Sequence, residues 1–267
     1  METIKAKTWN LKRKQMKKLV ILIILCLCVH IGNAQENCQH KLSNIVNKNE
    51  IMYQKSTNLP VNGIVCYYHR NGKLQGEVSH RDGIWDGVVR FYYENGKLSS
   101  ESTYKTDIKD GIANYYYENG KLQYEFPFVN DKVEGISKGY YKNGKLQYET
   151  PYKNDKMEGI SKGYYESGKL QYEIPYKNDK MEGIGKFYYE NGKLNKESTF
   201  KNNKKDGYES IYSKNGQLWG RIFYKNDEAV NGACNNGKEF TSTDILYWGN
   251  RQTVSCDTEK TPNIAKK

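Results

Sequence analysis

The sequence predicts an all-β protein: an elongated, single-layer antiparallel β-meander solenoid of seven 24-residue β-hairpin repeats, twisted along its length. Three observations carry that prediction. Asn-Gly pairs fall at 71–72, 95–96, 119–120, 143–144, 191–192 and 215–216, with Ser167-Gly168 in the remaining slot, always 24 apart. Other columns keep the same step: Leu74, Leu98, Leu122, Leu146, Leu170, Leu194 and Leu218, and the glycines from Gly63 to Gly207. A 3.6-residue apolar stripe is missing from 63–232, whereas Asn-Gly between β-prone runs is a strong short-range hairpin signal.

Taken in chain order, residues 1–34 read as a secretory signal peptide. Seven bases and one acid lie in 1–18, an uncharged run follows at 19–31, and Gly32-Asn33-Ala34 precedes Gln35-Glu36. A basic start, a short apolar core and small residues at the −3 and −1 positions are the features a signal peptidase needs. The core is shorter than the ~20 residues of a membrane-spanning helix. Met16-Lys17-Lys18 would itself open a signal of ordinary length. Cleavage near Ala34 is expected to place the mature chain in the periplasm, on the cell surface or outside the cell.

That cleavage changes the charge argument. The 267-residue chain carries 42 Lys+Arg against 31 Asp+Glu, a formal +11, which alone invites a nucleic-acid reading. The leader holds +6 of it, and 63–232 holds 27 bases against 24 acids. No unopposed basic stripe remains, so no nucleic-acid partner is expected. Mean hydropathy is −0.91, but 24 Tyr and 24 Gly against 5 Pro describe neither a disordered polyelectrolyte nor a collagen-like chain.

Residues 35–62 read as an N-terminal cap built on a degenerate half-repeat, and 63–232 as the array. In each repeat the Asn-Gly is expected to form a two-residue type I′ turn, which requires positive φ at both central residues. Gly72, Gly96, Gly120, Gly144, Gly168, Gly192 and Gly216 would define these turns. The second connection, as in Lys177-Asn178-Asp179-Lys180, reads as a longer polar loop closing on Gly. A two-residue loop at 71–72 would set His69 opposite Leu74, Tyr67 opposite Gly76 and Cys66 opposite Glu77. The Leu column, the Phe200/Tyr224 column and the column of Tyr93, Tyr117, Tyr141, Tyr165 and Tyr189 would then share the better core face. The other face would hold Arg90 opposite Glu101, Lys138 opposite Glu149, Lys162 opposite Glu173 and Lys186 opposite Glu197. Tyr68, Tyr92, Tyr116, Tyr140, Tyr164, Tyr188 and Tyr212 share that polar face with Ile64, Ile112, Ile136, Ile160 and Ile184. This tyrosine row is the candidate binding face, because Tyr favours interfaces.

Residues 233–256 read as a C-terminal cap and 257–267 as a disordered tail. Four cysteines survive cleavage: Cys38, Cys66, Cys234 and Cys256. An even number in an exported chain suggests disulfides, with three connectivities open. Fourteen strands at ~4.8 Å separate the array's ends by ~65 Å, far beyond disulfide reach. Cys38–Cys66 and Cys234–Cys256 are therefore the favoured staples.

The columns Tyr-Tyr-Glu-Asn-Gly-Lys-Leu followed by Tyr-Lys-Asn resemble the MORN family, specifically its bacterial variant repeat, over about 63–232. The resemblance implies a scaffold for protein or membrane-lipid contacts. Similar bacterial proteins carry the label of YwqK-family antitoxins of toxin–antitoxin systems, which implies toxin neutralisation as an alternative. Tandem aromatic hairpins also occur in glycan-binding arrays, so a cell-envelope glycan is a third expectation.

Chemistry is not expected. Residues 135–139 and 159–163 match Gly-x-Ser-x-Gly, but that motif needs a strand-to-helix turn and a later His, and no His follows His80. His40, His69 and His80 show no metal-ligand spacing. The loop acids Asp131/Glu134, Asp155/Glu158 and Asp179/Glu182 lack the ligand alternation of a calcium loop and read as solvated turn residues. The reading is therefore a non-enzymatic interaction module with no catalytic residue, metal or cofactor. Its partner is expected to be a protein, or else a membrane surface.

Overall fold

The computed structural model describes residues 38–240. Residues 1–34, where a signal peptide is expected, Cys256, and 257–267, where a tail is expected, lie outside the described residues. One open sheet of 20 strands dominates, and a separate two-stranded sheet of Ile45–Lys48 and Ile51–Gln54 packs against its N-terminal end. Sequence neighbours are sheet neighbours throughout the repeats. A representative unit runs through Gly135–Tyr140, Leu146–Lys153 and the short Lys156–Met157 before the next repeat opens at Gly159–Tyr164. Among the described residues the only helical turn is the 3-10 segment Leu42–Asn44.

The two turns of each repeat have the opposite geometry to that expected. At 141–145 the Gly144 N–H donates to the Tyr141 carbonyl and the Tyr141 N–H to the Lys145 carbonyl, both at 2.8 Å. Only the glycine is left-handed there, at φ +89°. This is a type I turn closed by a glycine bulge, not a type I′ turn. The Asn143 Oδ1 accepts the Lys145 N–H at 2.9 Å and fastens the bulge. An irregularity beside the turn shifts the register by one residue, so Leu74 faces Tyr68 instead of His69. The Leu row accordingly pairs with the Tyr68 row rather than with the neighbouring positions expected for it. Beyond the shift the expected pairs hold: Tyr67 faces Gly76, Cys66 faces Glu77 and Val65 faces Val78.

The type I′ geometry sits instead in the Asn-Asp connections. Asn154 and Asp155 have φ of 50° and 66°, and Asn178 and Asp179 have φ of 50° and 66°. They are flanked directly by the pairs Lys153↔Lys156 and Lys177↔Lys180, so these are tight two-residue turns. Asn and Asp tolerate the left-handed region better than other L-residues. The preceding repeat holds them there. The Asp155 N–H donates to the Val133 carbonyl at 3.0 Å, and its Oδ1 accepts the Val133 N–H at 2.7 Å. Just after each such turn a Glu-Gly bulge interrupts the ladder. Glu158 N–H donates to the Pro151 carbonyl at 3.0 Å, and Gly159 adopts φ +118°. Proline, which cannot donate to a ladder, is tolerated opposite such a bulge.

One face of the sheet is the core. Val65, Val78, Val89, Ala113, Ser137 and Ile222 are fully buried on it. Across one row of paired positions, bulk and its absence change places. Tyr67 faces Gly76 and Phe91 faces Ser100, whereas Gly139 faces Tyr148 and Gly163 faces Tyr172. A Cβ on Gly139 would lie 2.3 Å from the Tyr148 ring, and one on Gly163 2.1 Å from the Tyr172 ring. These two glycines are steric requirements of the neighbouring tyrosine.

Aromatic hydroxyls tie successive repeats together. Tyr117 donates to the Tyr140 carbonyl at 2.7 Å, Tyr141 to Tyr164 at 2.6 Å and Tyr165 to Tyr188 at 2.6 Å. This column, expected as apolar packing, is thus also a hydrogen-bond ladder along the array.

The ends bury more completely than the middle. Ile45, Val61 and Val65, with Met52 and Tyr67 against them, form the N-terminal cluster. Beside the first repeat strand Gly63–Tyr68, the short strand His40–Lys41 runs parallel and covers its edge, and Cys38 is disulfide-bonded to Cys66. This blunts an edge otherwise open to another chain. At the other end Ile222, Tyr224, Cys234 and Phe240 cluster together. There Gly220 faces Cys234 and Arg221 faces Ala233, whereas in an inner repeat Glu125 faces Lys138 and Tyr124 faces Gly139. The one-residue slip turns Cys234 onto the core face. The expected Cys234–Cys256 pairing involves Cys256, outside the described residues.

Candidate interaction face

The face opposite the core carries three parallel rows. The first is apolar and exposed: Ile112, Ile136, Ile160, Ile184 and Tyr208 are 50–59% accessible. In the paired strands they stand against Pro127, Pro151, Pro175, Thr199 and Phe223. Equivalent residues are two strands apart, ~9.6 Å, so five of them extend over roughly 38 Å. At the N-terminal end the row is covered. The Ile64 carbonyl accepts the Gln39 N–H at 3.2 Å, and its N–H donates to the Gln39 Oε1 at 3.2 Å.

The second row is an ion ladder. Arg90 faces Glu101, Lys138 faces Glu149, Lys162 faces Glu173 and Lys186 faces Glu197 in register. The salt bridges follow that register only in part. Arg90 meets Glu101 at 2.6 Å and Lys186 meets Glu197 at 4.0 Å, but Lys138 turns to Glu125 on its other neighbouring strand, at 2.8 Å.

The third row is the tyrosine column singled out from the sequence. Tyr68, Tyr92, Tyr116, Tyr140, Tyr164, Tyr188 and Tyr212 are all half-buried. Four of their hydroxyls serve the ion ladder: Tyr92 donates to Glu77, Tyr164 to Glu149 and Tyr188 to Glu173, each at 2.8 Å, and Tyr212 to Glu197 at 3.1 Å. Burial, and then the hydrogen bond to a carboxylate, push the Tyr164 and Tyr188 phenols up to about 12. At those four positions the polar tip of the ring is already engaged. The Ile row beside it has no such engagement. Its signal was present in the sequence as alternation with the Tyr row, but exposure could not be separated from burial there.

The remaining sequence candidates fall elsewhere. Gly72, Gly96, Gly120, Gly144, Gly168, Gly192 and Gly216 line one edge with φ between +81° and +90°. Ser137 and Ser161 lie mid-strand on the core face, 1% and 5% exposed, and Ser161 Oγ is 2.7 Å from Thr150 Oγ1. His40 and His69 rings contact the Asn62 and Tyr92 carbonyls at 3.0 and 2.9 Å. His80 is buried, and burial pulls its imidazole below the ordinary value. The loop acids are structural rather than freely solvated. Asp179 Oδ1 accepts the Met157 N–H at 2.8 Å, and Glu158 Oε2 accepts the Asn178 N–H at 2.8 Å.

No curated protein shows a significant match to the chain. The family model described as MORN repeat variant matches at 61–82, 85–106, 109–130, 133–154, 157–178, 181–202 and 205–226. The matched segments begin two residues before the Gly column and tile the whole array. The match describes the repeat and carries no antitoxin subtype. By sequence match and by architecture, a scaffold of seven stacked hairpins, the chain belongs to the MORN repeat variant family.

Proposed function

We propose that this protein is an exported, non-enzymatic scaffold that binds a partner protein along the Ile/Tyr face of its repeat array. The carrying observation is the exposed row Ile112, Ile136, Ile160, Ile184 and Tyr208, 50–59% accessible on a sheet whose other face is the core. Soluble monomers seldom expose contiguous apolar strips unless those strips are used. Beside it the half-buried tyrosines supply contact area with rings held in place by Glu149, Glu173 and Glu197, so little side-chain entropy is lost on binding. A protein with an extended apolar surface fits a strip of this length better than a compact ligand does. The Cys38–Cys66 disulfide supports an oxidising compartment, in keeping with the leader-like 1–34.

The test is photo-crosslinking capture by the mature chain, compared with a triple variant Ile136→Thr, Ile160→Thr, Ile184→Thr that keeps β-branching. Capture of a discrete protein that falls at least about tenfold in the variant, with melting unchanged, is expected. Equal capture by both chains overturns the reading.

A further inference from the structure

We propose that Cys38, Cys66 and Glu77 form a redox-gated site for a thiophilic divalent cation of the zinc type. The two sulfurs and a Glu77 carboxylate oxygen all lie within 4.8 Å of one another. The topology brings them together. Cys66 stands opposite Glu77 in the first hairpin, and the parallel strand that follows Cys38 lies on the other side of Cys66. The Cys38 and Cys66 Cα atoms are 5.7 Å apart.

Glu77 is the unusual member. Its column continues as Glu101, Glu125, Glu149, Glu173 and Glu197, all half-buried, whereas Glu77 is 5% exposed. Later repeats place Arg90, Lys138, Lys162 or Lys186 where the first repeat has Cys66. Glu77's other neighbour in register is Arg90, but the Arg90 Nε donates to Glu101 at 2.6 Å. Tyr92 donates to Glu77 Oε2 at 2.8 Å, and Glu77 Oε1 is buried with no hydrogen-bond donor. An uncompensated buried carboxylate oxygen is costly. The carboxylate stands beside two sulfurs, and a divalent cation would satisfy all three groups at once.

In the disulfide state the sulfurs are not thiolate ligands, and the bond staples the N-terminal cap. A dithiol reductant opens it by exchange. Its thiolate attacks one sulfur to give a mixed disulfide, and its second thiol then displaces the protein sulfur. Two electrons pass to the protein, leaving two protein thiols and an oxidised, cyclic reductant. Zn²⁺ then displaces one proton from each thiol and takes two thiolates and the Glu77 carboxylate, with solvent in the fourth position of a tetrahedral sphere. Cys38 is only half-buried, which leaves a path from solvent. The Tyr68 hydroxyl, 3.6 Å from the Cys38 Sγ, would donate to the thiolate and support it.

The experiment uses the full chain, reduced by dithiol and desalted without oxygen, titrated with Zn²⁺ by calorimetry. Cd²⁺ is followed in parallel through its ultraviolet thiolate charge-transfer band. Wild type, Cys38→Ser and Glu77→Gln are compared, with circular dichroism confirming that each is folded. The expected result is one tight site in reduced wild type that Cys38→Ser abolishes. Glu77→Gln should weaken it by at least about tenfold with the thiol count unchanged. Oxidised wild type should lack this site. Loss of the site on Cys38→Ser but unchanged affinity on Glu77→Gln overturns the three-ligand assignment. Equal binding by oxidised and reduced protein, or no difference between wild type and Cys38→Ser, overturns the site altogether.

Discussion

Exchange of bulk between Gly163 and Tyr172 tests how the core face is packed. A Cβ on Gly163 would fall 2.1 Å from Tyr172 Cε1 and 2.3 Å from Cζ, more than an ångström inside van der Waals contact. Gly163→Phe alone therefore has to expel the tyrosine ring, and overpacking of this kind costs about 1–3 kcal/mol. Tyr172→Ser alone leaves the glycine uncovered. For a half-buried aromatic that costs about 2–3 kcal/mol, below the range for fully buried rings. The double change recreates the Phe91↔Ser100 pair of the second repeat at the same two positions. It should recover at least about 2 kcal/mol relative to the sum of the single changes. Urea unfolding followed by circular dichroism supplies the stabilities, and hydrogen exchange of the Gly159–Tyr164 amides supplies the local response. Additivity within about 0.5 kcal/mol would refute the claim that the two positions share one packing volume.

Other perturbations test other contacts. Asp155→Ala removes both a residue suited to φ 66° and the acceptor for the Val133 N–H, and should cost about 1–2 kcal/mol, read as faster exchange of the Val133 amide. Glu209 is 3% exposed. Burial raises its pKa, but Lys205 at 2.6 Å, the Ser198 hydroxyl and Lys196 together outweigh that and leave it below the ordinary value of 4.5. Its folded pKa is thus depressed, so its contribution is complete above 4.5 and is lost as pH falls through the lower folded value. Acid titration of stability should show that limb in wild type and lose it in Glu209→Gln. Reduction of the Cys38–Cys66 bond, which spans 28 residues, should destabilise the N-terminal cap by about 2–4 kcal/mol in chelator, measured as the shift of its urea midpoint.

The repeat, its period and the hairpin character were legible because the Leu, Tyr and Gly columns recur at every 24-residue step and the Asn-Gly column breaks only at Ser167. The register beyond each turn was legible too, since alternation constrains it. The turn types were not. Asn-Gly favours type I′ in isolation, but a three-residue loop with a glycine bulge is the next commonest solution, and local sequence does not separate the two. What decides it is a neighbour. Asp155 is held left-handed by Val133 in the preceding repeat, a contact 22 residues away that only the stacked array creates. The changed partner of the Leu row follows from the same register shift. The candidate face was legible as a set of rows, but not in its division of labour. Ile136 and Tyr140 share strand Gly135–Tyr140 and a face, and only the fold shows the isoleucine exposed and its tyrosine neighbour half-buried.

The most direct measurement is hydrogen-exchange footprinting of the mature chain with its captured partner bound. Protection is expected to centre on the strands that bear Ile112, Ile136, Ile160 and Ile184, with the turn edge at Gly120, Gly144, Gly168 and Gly192 unchanged. Protection confined to that glycine edge, or to the caps, would contradict that expectation.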